Sequence, residues 1–309
     1  MKLGLRLPQR AGVDLRRDVP AVARRAEELG YTSLWTYERV LFPDSPAEDY
    51  FGSPWQESQR QAADPLAVLA AAAMVTTTPR LGTGVLVAAA HAPFQLAKSL
   101  ATIDQLSGGR MVAGLGAGWS SDELQTVRAT RADRGRFLDE TLDVFAAVWG
   151  PDPVSYTGPR TIIDKATVLP KPAAKIPVLL AGGAAGGRAL ERLATRADGW
   201  LPIVGAGQFE ATARTWDRVR EVAAAHGRDA SRMELIVVGN VTLADHPLPA
   251  GRIPFTGTLD QVIEDIFAAS AAGADEIIID LNLQPWFTGA GQVLETAQEI
   301  QERVKEAGA

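Results

Sequence analysis

The chain has 309 residues, 46% of them hydrophobic and 22% charged, enough to bury the core of one large α/β barrel or of two modest domains. Acidic residues outnumber basic ones, 37 to 31, for a formal charge of −6; with no block of basic residues, this argues against a nucleic-acid partner. Cysteine is absent and the three histidines, His91, His226 and His246, lie far apart, which excludes disulfides, thiolate nucleophiles and a His/Cys metal centre, so no metal is expected.

The N-terminal stretch MKLGLRLPQR lacks the apolar core of a signal peptide because Arg6 interrupts it. The run PLAVLAAAAMV at 65–75 falls short of the ~18 residues that cross a bilayer. Together these read as a cytoplasmic protein with no membrane partner.

From there the chain alternates. KLGLRL (2–7) reads as a buried strand. DVPAVARRAEELG (18–30) reads as an amphipathic helix with Pro20 in its first turn and Gly30 as its stop. TSLWTY (32–37) is strand-like, DPLAVLAAAAMVTT (64–77) helical, and RLGTGVLVA (80–88) strand-like again. PFQLAKSLATIDQLSGG (93–109) is helix and stop, RMVAGLG (110–116) strand, and RFLDETLDVFAAVWG (136–150) a helix with apolar residues at helical spacing. IPVLLAG (176–182), a helix near 186–196, DGWLPI (198–203), a helix over 207–226 and MELIVVGNV (233–241) follow. A helix at 258–272, the strand DEIIIDL (275–281) and a C-terminal helix close the chain. About eight strands alternating with helices imply a parallel sheet with helical crossovers. At this length the economical solution is a (β/α)8 TIM barrel forming one domain over 1–309, an open doubly wound sheet being the alternative. Two long loops, 38–63 and 242–257, follow strands and belong on the C-terminal face, where barrel enzymes build active sites.

Four stretches can carry chemistry. In LSGGRMVAGLGAGWSSDE (106–123), Gly114, Gly116 and Gly118 fall on one side of an extended chain. Without side chains they let a flat ligand approach, with Ala117 between them and Trp119 as a wall; packing of a tight strand is the competing explanation. Ser120 and Glu123 have capping-box spacing, so a helix is expected there with free N–H groups aimed at the barrel mouth. In LAGGAAGGRALERL (180–193), a strand ends in Gly182-Gly183 and a helix follows with Arg188 near its first turn, an anion nest suited to phosphate, or else a flexible turn. Gly84 inside a strand marks a bulge or a close approach to ligand, or small-residue packing. His91 reads as structural. Glu38 and Arg39, at the end of the second strand, sit where a barrel places reactive groups, or form a local ion pair. Tyr50, Phe51, Trp55 and Trp286 lie in loops at strand ends, where they would line an apolar substrate pocket or pack their own loops. No serine-elbow, P-loop or zinc-protease motif is present.

Taken together, RLGTGVLVAAAHAPFQLAKSLATIDQLSGGRMVAGLGAGWSSDEL, PVLLAGGAAGGRALERLATRADGWLP and GYTSLWTYERVLFPD resemble the signatures of the luciferase-like monooxygenase superfamily. The resemblance runs from residue 2 to about 285, and within the superfamily it is to the probable F420-dependent oxidoreductases. It implies a barrel with coenzyme F420 at its C-terminal face, FMN being the alternative cofactor. It also implies a tricyclic ring against Gly116, Ala117, Gly118 and Trp119, a cofactor contact at Asp122, a cis peptide at Gly84–Val85 backing the ring, and a phosphate site at Ala181-Gly182-Gly183. A homodimer acting on a small-molecule substrate is implied as well.

Two departures qualify the implied activity. Many deazaflavin members carry Asp-His where this chain has Glu38-Arg39. Glu38 can replace the acceptor, but Arg39 cannot act as a base near neutral pH. A glutamate proposed as proton donor in a sugar-phosphate dehydrogenase branch is Trp119 here. The expectation is hydride transfer between F420 and an apolar organic substrate, with Glu38 and Arg39 facing ring or substrate and Trp119, Trp55 and Trp286 as pocket walls. An FMN-dependent monooxygenase and an F420-binding protein without turnover are the alternatives.

Overall fold

The computed structural model describes residues 1–50, 54–182, 186–205, 207–284, 287 and 289–307. Its core is a closed barrel of eight parallel strands. Six are continuous with single segments of the pattern: β1 (Lys2–Arg6), β2 (Ser33–Thr36), β5 (Met111–Gly116), β8 (Val178–Ala181), β9 (Gly199–Leu201) and β10 (Glu234–Asn240). Another, β13 (Glu276–Asp280), pairs with both β1 and β10 and joins the two ends of the chain. The remaining barrel strand is split into β3 (Arg80–Thr83) and β4 (Leu86–Val87), both pairing with β5 to close the ring. Between the two halves the Gly84–Val85 peptide is cis, so the continuous strand expected over 80–88 is interrupted where the resemblance placed the bond.

The crossover helices are α1 (Leu15–Leu29), α2 (Pro65–Ala73), α3 (Pro93–Ser107), α5 (Arg134–Trp149), α6 (Gly187–Arg196), α7 (Phe209–Ala225), α8 (Leu259–Ala271) and α9 (Ala290–Ala307), with a short α4 (Ser121–Gln125) ahead of α5. Local chemistry sets their ends. Asp14 caps α1 by accepting from the Arg16 and Arg17 N–H groups, so this helix begins a turn before the expected start and Pro20 lies inside it. Gly30, at φ 91°, and Gly108, at φ 70°, stop α1 and α3 in the left-handed conformation. Thr258 and Gln261 form a reciprocal capping box on α8. Two features went unread in the sequence: an antiparallel hairpin of β6 (Val154–Thr157) and β7 (Ile162–Ala166), and a small parallel pair, β11 (Thr242–Leu243) with β12 (Thr256–Gly257), inside the 242–257 loop.

Two apolar layers hold the fold. The larger lies between strands and helices, with Leu5, Leu34, Leu69, Leu100, Phe145 and Ile300 among its fully buried members. The smaller fills the barrel: Trp35, Val112, Leu179, Leu201, Ile236, Val238 and Ile278. Trp35 occupies so much of the interior that Gly82 must be a glycine, since a Cβ there would overlap the indole. Below it, Glu276 accepts from Ser33 and from the Trp35 indole N–H and pairs with Arg80 at 3.0 Å. This plug fills the barrel bottom and leaves the open space at the C-terminal mouth. Among the described residues, no helix is long and apolar enough to cross a membrane.

Candidate functional site

At the C-terminal ends of the strands lies a cavity of about 920 Å³, large enough for a drug-sized cofactor and part of a substrate. One wall is the break between β3 and β4. Gly84 and Val85 line the cavity, and the backbone there is held from two sides: Gly84 N–H donates to Thr36 O at 2.7 Å, and its carbonyl accepts from Arg6 Nη2 at 2.5 Å. Arg6 in turn donates through Nη1 to Asp280 at 2.6 Å, a pair almost wholly buried. Arg6 and Asp280 both line the cavity and went unnoticed in the sequence. The signal was a lone charge inside an apolar strand, KLGLRL, because an inward-facing arginine in a barrel strand needs a polar partner.

The glycine series at the end of β5 divides by role. Gly114 serves packing: a Cβ there would overlap the Thr83 carbonyl oxygen, and the two residues exchange hydrogen bonds through Thr83 Oγ1, each at 2.9 Å. Gly116, Ala117, Gly118 and Trp119 line the cavity. Gly118 has φ 88°, and Cβ atoms at 116 and 118 would come within 2.9 Å of Val85 and Val87. The platform therefore runs from 116 to 119, one step shorter than the alternation implied.

The end of β2 differs most from expectation. Glu38 and Arg39 both line the cavity but do not pair with each other. Glu38 is 8% exposed; its Oε2 accepts the Val87 N–H at 2.6 Å and its Oε1 lies 2.8 Å from His91 Nε2. Burial lowers the His91 pKa, but the hydrogen bond and charge of Glu38 outweigh it, and the net shift is upward. Glu38 thus ties the second strand to the third, and His91, read as structural, is its partner. Arg39 turns instead to Glu123, with Nη1 3.3 Å from Oε1. Its guanidinium carbon lies 5.4 Å from the ring centres of Trp55 and Trp119 and 5.9 Å from that of Tyr50.

That rearrangement alters α4. Ser120 caps it, accepting from Glu123 N–H at 3.3 Å, but the Glu123 side chain does not return the bond. Glu123 instead accepts from Val40 N–H at 3.0 Å, and burial raises its pKa despite Arg39. The expected N–H groups facing the mouth are not free, because Ser121 N–H donates to Glu48 at 2.7 Å. Asp122 lies outside the cavity lining, accepting from Ala47 N–H at 2.9 Å, so it anchors the 38–63 loop. Trp55 is also outside the lining; it stacks behind Trp119, ring centres 5.3 Å apart. The 242–257 loop does not reach the cavity among the described residues; Arg252 folds it onto Asp265 of α8 at 2.5 Å.

The opposite end of the cavity is basic. Ala181 and Gly182 line it beside Arg188, as the anion-nest reading required, and Gly182 has φ 112° with open space where a Cβ would stand. Gly183 and Trp286 lie outside the described residues. Arg131, Arg134, Arg136 and Arg192 join the lining from the chain after α4 and from α6. Arg192 is held by Asp139 at 2.5 Å, whereas Arg134 donates only to Gly118 O at 3.3 Å. No carboxylate lies within ion-pair distance of Arg134 or Arg188 among the described residues. Seven arginines and three carboxylates, Glu38, Asp139 and Asp280, line the cavity of a chain whose own charge is −6. A glycine-lined slot at one end and uncompensated cations at the other fit a planar ligand with an anionic tail.

Comparison with known proteins bears on this geometry. The luciferase-like monooxygenase family model matches residues 1–253. An uncharacterized protein of Mycobacterium tuberculosis is 34% identical over 186 residues, 59% of this chain and 66% of that protein, so the match spans just under two thirds of the relative's length. The F420-dependent glucose-6-phosphate dehydrogenase of Amycolatopsis mediterranei is 27% identical over 285 residues, covering 89% of this chain and 81% of the enzyme. Among solved structures, the monooxygenase RslO1 from Streptomyces bottropensis superposes with a TM-score of 0.76 at 21% identity, covering 100% of both chains. An F420-dependent secondary alcohol dehydrogenase bound to an F420–acetone adduct superposes with a TM-score of 0.74 at 18% identity, covering 98% of this chain and 99% of the other. These superpositions establish a shared fold.

Proposed function

The chain belongs to the luciferase-like monooxygenase family, and on that premise we propose that it is an F420-dependent oxidoreductase acting on a small organic molecule in the barrel mouth. The observation that carries the proposal is the charge of the cavity: five arginines, Arg131, Arg134, Arg136, Arg188 and Arg192, line it in addition to Arg6 and Arg39. Coenzyme F420 bears a phosphodiester and a string of carboxylates on its side chain, and FMN a single phosphate. Arg131, Arg136 and Arg192 are paired with Glu48, Asp133 and Asp139, but Arg134 and Arg188 meet no carboxylate within ion-pair distance among the described residues, and such a set suits the longer anion. The dehydrogenase relative that uses F420 adds support.

The residues fit such a group. Gly116 to Trp119 and the Gly84–Val85 peptide would hold the planar head, and Gly182 with Arg188 and Arg134 the anionic tail. When bound, the deazaflavin supplies hydride chemistry. The chain contributes orientation and a dry floor: Arg6 holds the Gly84 carbonyl in place, Glu38 fixes Val87, and Leu201 and Val238 keep water from beneath. The Arg39 guanidinium carries only donors, so it can donate a hydrogen bond but offers no acceptor.

Titration of the intrinsic tryptophan fluorescence with F420 and FMN in parallel tests this reading. F420 should bind tightly, with an affinity that falls steeply with salt, and Arg188→Ala should weaken it about tenfold. FMN binding as tight as F420 binding would overturn the proposal in favour of a flavin monooxygenase, and binding of neither would remove the platform.

A further inference from the structure

We infer that Arg39 is the receptor for an anionic oxygen on the substrate, so that this site takes a planar organic acid rather than the purely apolar molecule expected from the sequence. The inference rests on the cofactor reading above for what occupies the rest of the cavity, but not for the argument itself.

Buried charges in folded proteins are paired and hydrogen-bonded, because an uncompensated one is costly. Arg39 has the pair without the hydrogen bond. Its side chain is 13% exposed and its partner Glu123 is 1% exposed. Yet Nη1 meets Glu123 too obliquely for a hydrogen bond and has no other acceptor. No hydrogen bond from any of its donors exists among the described residues. Arg6 donates to Asp280 and Gly84 O, and Arg10 to two carbonyls at 2.7 and 2.6 Å; the Nε of each is without a partner, but their terminal nitrogens are engaged where those of Arg39 are not. Glu123 is also partly committed elsewhere, since the same Oε1 accepts the Val40 N–H.

The guanidinium is nevertheless held firmly, among the rings of Tyr50, Trp55 and Trp119. Aromatic faces fix its plane and strip its water without satisfying its N–H groups. That is the condition in which a planar carboxylate gains most, by two parallel charged hydrogen bonds. The same cavity holds a second donor. The Tyr37 hydroxyl is buried without a partner, its ring lies 5.6 Å from the Arg6 guanidinium, and burial together with Asp280 raises its pKa, so it remains protonated. Both side chains line the cavity.

Benzoate and benzamide, equal in shape and different in charge, report on the receptor. Their affinities would be measured calorimetrically on the full chain, with and without F420. The wild type should prefer benzoate at least about tenfold. Removing Arg39 alone would strand a buried carboxylate, so the test variant is the pair Arg39→Met with Glu123→Gln. It should bind the two compounds equally, keep its thermal transition and keep F420 affinity within about threefold. Arg39→Lys, which keeps the charge but loses the planar fork, should show an intermediate preference. Equal binding by the wild type, or a benzoate preference that survives in the double variant, would overturn the inference. So would loss of F420 affinity in the double variant with the benzoate preference intact, because the anion would then be the cofactor's. The benzoate readout without F420 is independent of whether F420 is the cofactor.

Discussion

Replacing Glu38 should loosen the mouth of the barrel. Its carboxylate, with 7% side-chain exposure, makes two short contacts, to Val87 N–H at 2.6 Å and His91 Nε2 at 2.8 Å. A hydrogen bond to a charged group contributes about 1.5–3 kcal/mol. Glu38→Ala forfeits both and leaves a buried N–H without an acceptor, so the expected loss is about 3–5 kcal/mol. Glu38→Gln keeps an oxygen for Val87 and offers an amide donor to neutral His91, for a loss of about 1 kcal/mol. The pair also has a pH signature. The folded state holds the His91 proton more tightly than the unfolded chain, since its pKa is raised by Glu38 against the opposing effect of burial. Its contribution is therefore full below the unfolded value of about 6.5 and is lost as pH rises through the higher folded value. Urea unfolding of the wild type, followed by tryptophan fluorescence, should show stability falling on that alkaline side. In Glu38→Gln this component should vanish. A Glu38→Ala protein within about 1 kcal/mol of wild type, or a Glu38→Gln protein with an unchanged pH slope, would refute the reasoning.

The glycines of β5 should separate packing from binding. Gly114→Ala drives a methyl into the Thr83 carbonyl and should cost about 2–3 kcal/mol by chemical denaturation. Gly116→Ala, whose Cβ meets only Val85 Cγ2 at 2.9 Å, should cost under about 1 kcal/mol yet weaken F420 binding about tenfold in a fluorescence titration. Glu27 governs the acid limb of stability. Burial pushes its carboxyl up, but four hydrogen bonds from Thr77 and Thr78 bring it down to about 2. Its contribution is present above the usual value of about 4.5 and is lost as pH falls through the folded value. Glu27→Gln should cost about 1 kcal/mol at neutral pH and flatten the decline in stability below about pH 4.5.

The barrel was legible because its evidence is local. Strand and helix periods alternate, and caps and glycine stops sit where the chain turns, so most boundaries in β1, β5, α3 and α8 fall within a residue or two of those read. What stayed hidden depends on distant partners. The β6–β7 hairpin has little apolar alternation of its own and lies outside the barrel. The Glu38–His91 bond joins residues 53 apart in sequence, and the Arg39–Glu123 pair joins the loop after β2 to the first turn of α4. The spacing of Ser120 and Glu123 suggested a capping box, but Glu123 turns to the loop after β2, to the Val40 N–H and Arg39, rather than back to the Ser120 N–H. The contact of Asp122 was hidden for a related reason: the 38–63 loop folds back over α4 and its Ala47 N–H donates to that carboxylate. Arg6 was in plain view, yet its role required knowing that Asp280 would stand on the neighbouring strand.

The stacking of Trp55 on Trp119, with Arg39 against both rings, has a consequence for how this chain can diversify. The loop after the second strand and the segment after β5 meet as one wall, cross-linked by Ser121 with Glu48 and Ala47 with Asp122. A change in the loop that alters what the mouth accepts also shifts the surface on which the platform residue Trp119 rests. Grafting the 38–63 loop into a relative should therefore succeed only when residues 116–125 travel with it.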